Sequence, residues 1–264
     1  MNNLKEKDTF LLDMDGTIFL GNELIDGASD FLDTLKQNGK RYIFLTNNSS
    51  KNRMAYVDKL RNLGLDVTAE DIFTSGEATT RYLKNRHEGA RIYLLGTPSL
   101  EEEFIREGFQ LVNGRGEKVD FVVLGFDTTL TYEKVWIACE YIAAGVEYIA
   151  THPDFVCPLP GGAFMPDAGA MAAMIEASTG KKPFVIGKPN KAVVESIALK
   201  YALNQNEMVM VGDRLYTDVQ TGINAGITSI LVYSGETKPE DYEKSTICAD
   251  FVFPSVKYII DQVK

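Results

Sequence analysis

The 264-residue sequence contains few of the residues that build disulfide frameworks or histidine-rich sites. It has three cysteines, two histidines and one tryptophan. Cys139, Cys157 and Cys248 are an odd number with no C-x-x-C spacing, which argues against a disulfide framework. Because two of them lie in apolar segments, we expect buried free thiols in a reducing compartment.

Long apolar runs and excess positive charge are also missing. No run of about eighteen apolar residues occurs, so we expect no membrane span. The first residues lack the apolar stretch and cleavage site of a secretory signal, so we expect a cytoplasmic protein. The formal net charge is -10 and the pI is near 4.8, which argues against a nucleic-acid partner. Any anionic ligand would need local positive charge.

The sequence does contain short apolar runs that alternate with amphipathic stretches. This alternation predicts an α/β fold whose parallel sheet is covered on both faces. The predicted strands are Thr9–Leu12, Tyr42–Leu45, Arg91–Leu95, Asp120–Leu124, Glu147–Ala150, Phe184–Ile186, Met208–Val211, Ser229–Val232 and Asp250–Phe253. Apolar residues at helical spacing, such as Phe31, Leu32 and Leu35, predict helices between them. We expect Trp136 to pack in the core from one such helix.

Polar side chains follow the first, second, sixth and seventh of these runs, in FLLDMDGT, YIFLTNNSS, FVIGKPN and MVMVGDRLYTD. The carboxyl ends of parallel strands meet at one edge of a sheet, where ligands bind. Strands between about residues 76 and 180 end without such groups. We therefore expect a discontinuous core domain that is interrupted by an inserted α/β domain.

The first strand end supplies two carboxylates, Asp13 and Asp15, which can point the same way because they are two residues apart. The second supplies the hydroxyl of Thr46 and the amide of Asn47, a suitable cradle for phosphate. Lys188, at the third, could neutralise a phosphoryl oxygen.

The fourth strand end supplies Asp213 and Asp218. Carboxylates are the protein ligands that Mg²⁺ prefers, and Asp218 could orient them from behind. Each group also has an ordinary explanation as a solvated strand end, a solvated lysine or a helix cap. Their occurrence together favours a phosphate-and-metal site.

These four segments resemble the motifs of the haloacid dehalogenase-like superfamily. D-M-D-G-T is similar to its first motif, Thr46 to the second, Lys188 to the third, and G-D-R-L-Y-T-D to the fourth. The surrounding residues resemble the NagD or p-nitrophenylphosphatase-like group, whose type IIA cap is inserted between the second and third motifs. The resemblance implies a Rossmann-like, doubly wound core at 1–78 and 181–264 and a smaller α/β cap at 79–180.

The resemblance also implies a reaction. Asp13 would attack phosphorus to form an aspartyl-phosphate, and Asp15 would serve as acid and base. Asp13, the carbonyl of Asp15 and Asp213 would hold Mg²⁺. The group's phosphate ligands would be Thr46, Asn47 and Lys188. The implied function is hydrolysis of small phosphate monoesters of the nucleotide, sugar phosphate or p-nitrophenyl phosphate type.

Other functions stay open. A phosphotransferase or mutase could use the same intermediate, and a non-catalytic protein could bind a phosphorylated metabolite at the same site. A dinucleotide-binding fold is disfavoured, because no G-x-G-x-x-G follows the first strand. Caps of this type often pair, so a homodimer through the cap is possible.

Two segments of the expected cap depart from the group's pattern. In 151–154 His152 replaces Asn, and in 166–169 Asp167 replaces the first Gly. His152 and Asp154 are candidates for substrate specificity, although His152 could equally be a loop residue without a chemical role. Phe155 and Phe164 could line a substrate pocket or pack the cap.

Overall fold

The computed structural model describes residues 3–159 and 162–264. Its strands are β1 Thr9–Leu12, β2 Phe19–Leu20, β3 Glu23–Leu24, β4 Arg41–Thr46, β5 Ile72–Thr74, β6 Arg91–Leu95, β7 Gln110–Leu111, β8 Phe121–Leu124, β9 Glu147–Ala150, β10 Val156–Pro158, β11 Phe164–Pro166, β12 Phe184–Val185, β13 Met208–Gly212, β14 Thr228–Val232 and β15 Phe251–Phe253. Its α-helices are α1 Ala28–Gln37, α2 Arg53–Asn62, α3 Ser75–Arg86, α4 Pro98–Arg106, α5 Tyr132–Ala143, α6 Ala168–Thr179, α7 Ala192–Tyr201, α8 Gln220–Ala225, α9 Pro239–Glu243 and α10 Ile260–Val263.

The chain forms two compact units. The first comprises Met1–Thr46, Arg53–Phe73 and Lys188–Lys264, and the second comprises Asn47–Asn52 and Thr74–Gly187. The predicted functional domains, 1–78 with 181–264 and 79–180, stay a prediction.

The first unit is built on a six-stranded sheet with the order β15-β14-β13-β1-β4-β5. From β1 the chain proceeds outwards through β4 and β5, and later returns to build the other side through β13, β14 and β15. The switch point of this doubly wound sheet therefore lies between β1 and β13, which pair in parallel with Leu12 opposite Val211. The strands are apolar throughout because both faces are covered: all four residues of β1 are buried.

The second unit contains a five-stranded parallel sheet with the order β12-β9-β8-β6-β7. Helix α5 packs its buried residues, Ile137, Ala138, Tyr141 and Ile142, into the apolar core of this unit. Strands β10 and β11 form a separate antiparallel hairpin.

The predicted fold class is confirmed: a doubly wound parallel α/β core with a second, inserted α/β unit. Sequence periodicity missed the strands β2, β3, β5, β7, β10 and β11, which are only two or three residues long. In the described part of the chain no helix has the length and hydropathy needed to cross a membrane.

Two burial predictions were wrong. Trp136 is 54% exposed, because it lies on the outer side of α5, where the Arg115 guanidinium covers its ring at 4.5 Å from the centroid. The cysteines are free thiols, as expected, but Cys248 is exposed and Cys139 and Cys157 are only partly buried. An apolar neighbourhood in sequence does not determine which side of an element faces the core.

Candidate functional site

Two of the predicted site residues lie at the switch point of the first sheet. Asp13 directly follows β1, and Asp213 directly follows β13. The strands are neighbours, and the backbone N–H of Asp13 donates to the carbonyl of Val211 at 2.9 Å. The sheet therefore brings together two carboxylates that are 200 residues apart in sequence.

Lys188 joins this pair to a third carboxylate. The prediction that Lys188 follows a strand of the same sheet was wrong, because β12 pairs with β9 in the sheet of the second unit. Its Nζ donates to Asp13 Oδ1 at 2.5 Å and to Asp218 Oδ1 at 2.7 Å, and its side chain is 3% exposed. Carboxylate oxygens of Asp13, Asp213 and Asp218 all lie within 4.8 Å of one another. The buried site thus contains three carboxylates around one ammonium group.

The electrostatics of the site follow from this excess of negative charge. Burial raises the pKa of Asp13 to about 8; Asp218 and Asp213 add to the rise, and Lys188 opposes it. Burial likewise raises the pKa of Asp213 to about 6, with a further contribution from Asp218. Burial alone would lower the pKa of Lys188, but Asp13 and Asp218 raise it above its ordinary value, so the ammonium stays charged.

A divalent cation fits this arrangement. Oxygen ligands in a cluster with net negative charge are the donor set that Mg²⁺ takes. A cation beside Asp13 and Asp213 would also favour their ionised forms and thereby lower both pKa values. Asp13 and Asp213 are the residues suited to hold it, because Asp218 is completely buried and both of its carboxylate oxygens already accept hydrogen bonds, from Lys188 and from the Arg214 N–H.

Asp218 is fixed from both sides. Its Oδ1 accepts from Lys188, and its Oδ2 accepts from the backbone N–H of Arg214 at 3.1 Å. Gly212 makes room for it, because a Cβ there would lie against the Asp218 side chain. This completely buried carboxylate is therefore held in one orientation.

The loop after β14, residues 234–237, also belongs to the site, and the sequence analysis missed it. The backbone N–H of Glu236 donates to Asp213 Oδ2 at 2.6 Å, and Ser234 Oγ donates to the carbonyl of Gly16 at 2.7 Å. A Cβ at Gly235 would lie 2.5 Å from Asp213 Cγ and 2.7 Å from Gly16 Cα. Its position after β14, another strand of the sheet that carries Asp13, Thr46 and Asp213, was the signal that could have revealed it.

The remaining predicted residues of the first unit are Asp15, in the loop that follows β1, and Thr46, at the end of β4. Asp15 is exposed, and its backbone forms an isolated bridge with Phe19. Gly16, at φ +83°, allows the chain to turn between Asp15 and Thr17. Thr46 ends β4 and is buried.

The other predicted residues belong to the second unit. Asn47 Nδ2 donates to the two carboxylate oxygens of Asp154 at 3.2 and 3.3 Å. His152 is completely buried; its Nδ1 contacts Thr151 Oγ1 and its Nε2 contacts Asp167 Oδ1, each at 2.9 Å. The exposed side chains Phe155 and Phe164 flank the hairpin of this unit. Of the stretch 154–166, residues 160 and 161 lie outside the described residues.

Two family models match the sequence, and the first of them extends into the inserted unit. Residues 10–110 match the haloacid dehalogenase-like hydrolases, and residues 185–259 match a HAD hydrolase-like family. An acid sugar phosphatase of Staphylococcus epidermidis is 34% identical over 261 residues, 99% of this chain and 100% of the relative. The 5'-nucleotidase YutF of Bacillus subtilis is 35% identical over 260 residues, 97% of this chain and 100% of the relative. The chain belongs to the haloacid dehalogenase-like hydrolases.

Solved structures of phosphatases resemble this chain over nearly its whole length. A 4-nitrophenylphosphatase from Thermotoga maritima has 49% identity and a TM-score of 0.94, with all of both chains covered. A glycerol phosphate phosphatase from Mycobacterium tuberculosis, in complex with magnesium, has 29% identity and a TM-score of 0.88 over 97% of this chain and 78% of that one. The predicted hydrolase class and the NagD or p-nitrophenylphosphatase-like group are thereby confirmed.

Proposed function

We propose that the protein is a magnesium-dependent phosphatase that hydrolyses small phosphate monoesters through an aspartyl-phosphate intermediate. The observation that carries the proposal is the cluster of Asp13, Lys188, Asp213 and Asp218 at the switch point of the sheet. The activities named for the relatives, on sugar phosphates, nucleotides, glycerol phosphate and 4-nitrophenyl phosphate, support the substrate class.

The reaction has two steps. A carboxylate oxygen of Asp13 attacks phosphorus; a bond forms between them, and the bond from phosphorus to the leaving oxygen breaks. Asp15 gives its proton to that oxygen, and an alcohol leaves. Asp15 then takes a proton from water, which attacks phosphorus and breaks the bond to Asp13. The products are inorganic phosphate and the original carboxylate.

In this proposal Asp13, the carbonyl of Asp15 and Asp213 hold Mg²⁺, which offsets the charge between phosphate and nucleophile. Lys188 would act together with the cation to favour the ionised form of Asp13, and it would bind a phosphoryl oxygen. Thr46 and the Asn47 amide bind further phosphoryl oxygens, and Asp218 holds Lys188 in place. Mg²⁺ and Lys188 would thus supply the local positive charge that an acidic protein needs to bind a phosphate ester.

The second unit serves in this proposal as the cap, with the catalytic core at 1–78 and 181–264 and the cap at 79–180. Asp154 and His152 are its candidates for substrate selection. The cap could also form a homodimer, which sedimentation at several protein concentrations would test: a single monomeric species throughout would contradict pairing.

The direct test is phosphate release from a panel of nucleoside monophosphates, sugar phosphates and p-nitrophenyl phosphate, with Mg²⁺ or with chelator. We expect release only with Mg²⁺. Adding sugar acceptors distinguishes a phosphotransferase, because transfer would yield new phosphate esters in place of inorganic phosphate. Binding without turnover of any compound would indicate a phosphometabolite-binding protein instead.

A further inference from the structure

The two positions at which the second unit departs from its group's sequence pattern are in contact. His152 Nε2 lies 2.9 Å from Asp167 Oδ1, although the residues are 15 positions apart. Their side chains are 0% and 5% exposed. A histidine and a carboxylate that are both buried stabilise each other, because a buried polar group without a hydrogen-bond partner costs free energy of folding.

His152 is held on its other side by a chain of hydroxyl groups. Its Nδ1 lies 2.9 Å from Thr151 Oγ1, which lies 2.9 Å from Ser49 Oγ. Ser49 Oγ in turn accepts from the backbone N–H of Phe126 at 2.9 Å. With Asp167 ionised, Nε2 carries the hydrogen, Thr151 donates to Nδ1, and Ser49 donates to Thr151. In this arrangement of a neutral imidazole each hydrogen is used once, and contacts to both ring nitrogens fix the orientation of the ring.

The pair also anchors the loop that carries Asp154. Asp167 is the N-cap of α6, and its backbone N–H donates to the carbonyl of Phe155 at 3.0 Å. The Gly169 N–H donates to the carbonyl of Asp154 at 2.8 Å. A Cβ at Gly169 would lie 2.9 Å from the Asp154 carbonyl carbon, so the loop sits directly on the first turn of the helix.

We propose that His152 and Asp167 are positioning residues: their buried hydrogen bond locks residues 152–155 onto the start of α6 and thereby presents the Asp154 carboxylate to the substrate in one orientation. This inference rests on the proposed function, in which Asp154 selects the substrate. The two residues that depart from the expected pattern thus act together as one contacting pair. His152 itself, being buried with both ring nitrogens engaged, acts through the loop.

The test is a double-mutant cycle of His152→Asn, Asp167→Gly and the double variant, with His87→Asn at the half-exposed second histidine as the matched control. The probe is p-nitrophenyl phosphate with saturating Mg²⁺. Each single variant is expected to raise KM about tenfold while kcat stays within about twofold. Because Asn and Gly are the residues of the group pattern, the double variant is expected to have a lower KM than either single variant. The decrease in its thermal midpoint should be smaller than the sum of the decreases in the two single variants.

A conservative variant separates positioning from simple loss of packing. Asp167→Asn keeps the N-cap oxygen and an acceptor for His152, so we expect its KM to stay close to the wild-type value. Asp167 Oδ1 contacts His152 Nε2 and also accepts from the backbone N–H of Ala168. An Asp167→Asn variant that is as impaired as Asp167→Gly would count against a role for this oxygen atom.

Nitrogen NMR of histidine gives a readout that is independent of turnover. With His87 changed to Gln, His152 is the sole histidine. The wild-type loop is expected to show a slowly exchanging hydrogen on Nε2, and Asp167→Gly should lose it. Fast exchange of the Nε2 hydrogen in both proteins would contradict the proposed role of the pair. Strictly additive changes in KM and in the thermal midpoint would also contradict it. If the wild-type protein released no phosphate at all, the proposed function would fail, yet non-additive midpoints and the Nε2 signal would still support the pair.

Discussion

Replacing Gly235 with alanine should weaken magnesium binding without removing any charged group. A Cβ at this position would lie 2.5 Å from Asp213 Cγ and 2.7 Å from Gly16 Cα, where ordinary carbon contacts need about 3.5 Å. Asp213 must therefore retreat by about 1 Å. Metal–ligand distances tolerate only about 0.2 Å.

The expected loss follows from this mismatch. Mg²⁺ demands near-ideal octahedral geometry, and disturbing groups that orient its ligands costs about 10–100-fold in affinity. The displacement would also disturb the hydrogen bond from the Glu236 N–H to Asp213. We expect the dissociation constant for Mg²⁺, measured by titration calorimetry without substrate, to rise by about 10–100-fold.

Gly114→Ala is the matched control. Neither Gly114 nor Gly235 has a positive φ, so alanine adds no backbone strain at either site. A Cβ at Gly114 would meet only Glu117 Oε1, at 3.8 Å. This variant should bind Mg²⁺ like the wild-type protein. Unchanged Mg²⁺ affinity in a folded Gly235→Ala protein would refute the assignment of Asp213 as a metal ligand.

Three further predictions follow from the charges of the site. Lys188→Met removes the group that lowers the pKa of Asp13, so the acidic limb of the pH profile of kcat/KM should move to higher pH, and an unmoved limb would contradict the pairing. Asp15→Asn should impair the hydrolysis of esters with poor leaving groups more than that of p-nitrophenyl phosphate, whose leaving group needs little protonation. Rapid mixing of this variant with p-nitrophenyl phosphate should show a burst of about one equivalent of p-nitrophenolate. Equal impairment with both kinds of ester would exclude Asp15 as the acid. In chelator, the native state holds the Asp13 proton up to about pH 8 whereas the unfolded chain releases it near the ordinary value of 3.8. Because the native state binds more protons in this window, the thermal midpoint should fall as pH rises through it, and Asp13→Asn should flatten the curve; a wild-type midpoint that rises with pH would contradict the burial effect.

The sequence was sufficient to predict the strands of four or more residues and the carboxylates at the switch point. Strands β1, β6 and β9 have the predicted bounds, because each is a short, continuous apolar run between turn residues. The convergence of Asp13 and Asp213 follows from one rule about parallel sheets, which needs no knowledge of side-chain contacts. That rule does not account for Lys188, because β12, the strand before it, belongs to the sheet of the second unit.

Contacts between distant loops could not be predicted in this way. Nothing local in the segment 234–237 indicates that Gly235 faces Gly16 or that the Glu236 N–H faces Asp213. The contact of His152 with Asp167 likewise depends on how the chain returns to α6 after the hairpin of β10 and β11. Pairing of this kind is determined by tertiary structure rather than by periodicity.

The central claim is that Asp13 is the nucleophile, and one substitution tests it most directly. Asp13→Asn preserves the size of the side chain and an acceptor for Lys188, but a neutral amide cannot attack phosphorus. With saturating Mg²⁺ and p-nitrophenyl phosphate, we expect a folded protein whose phosphate release is reduced by about four orders of magnitude or more. Release within about tenfold of the wild-type rate would contradict the account, because the reaction could not then proceed through Asp13.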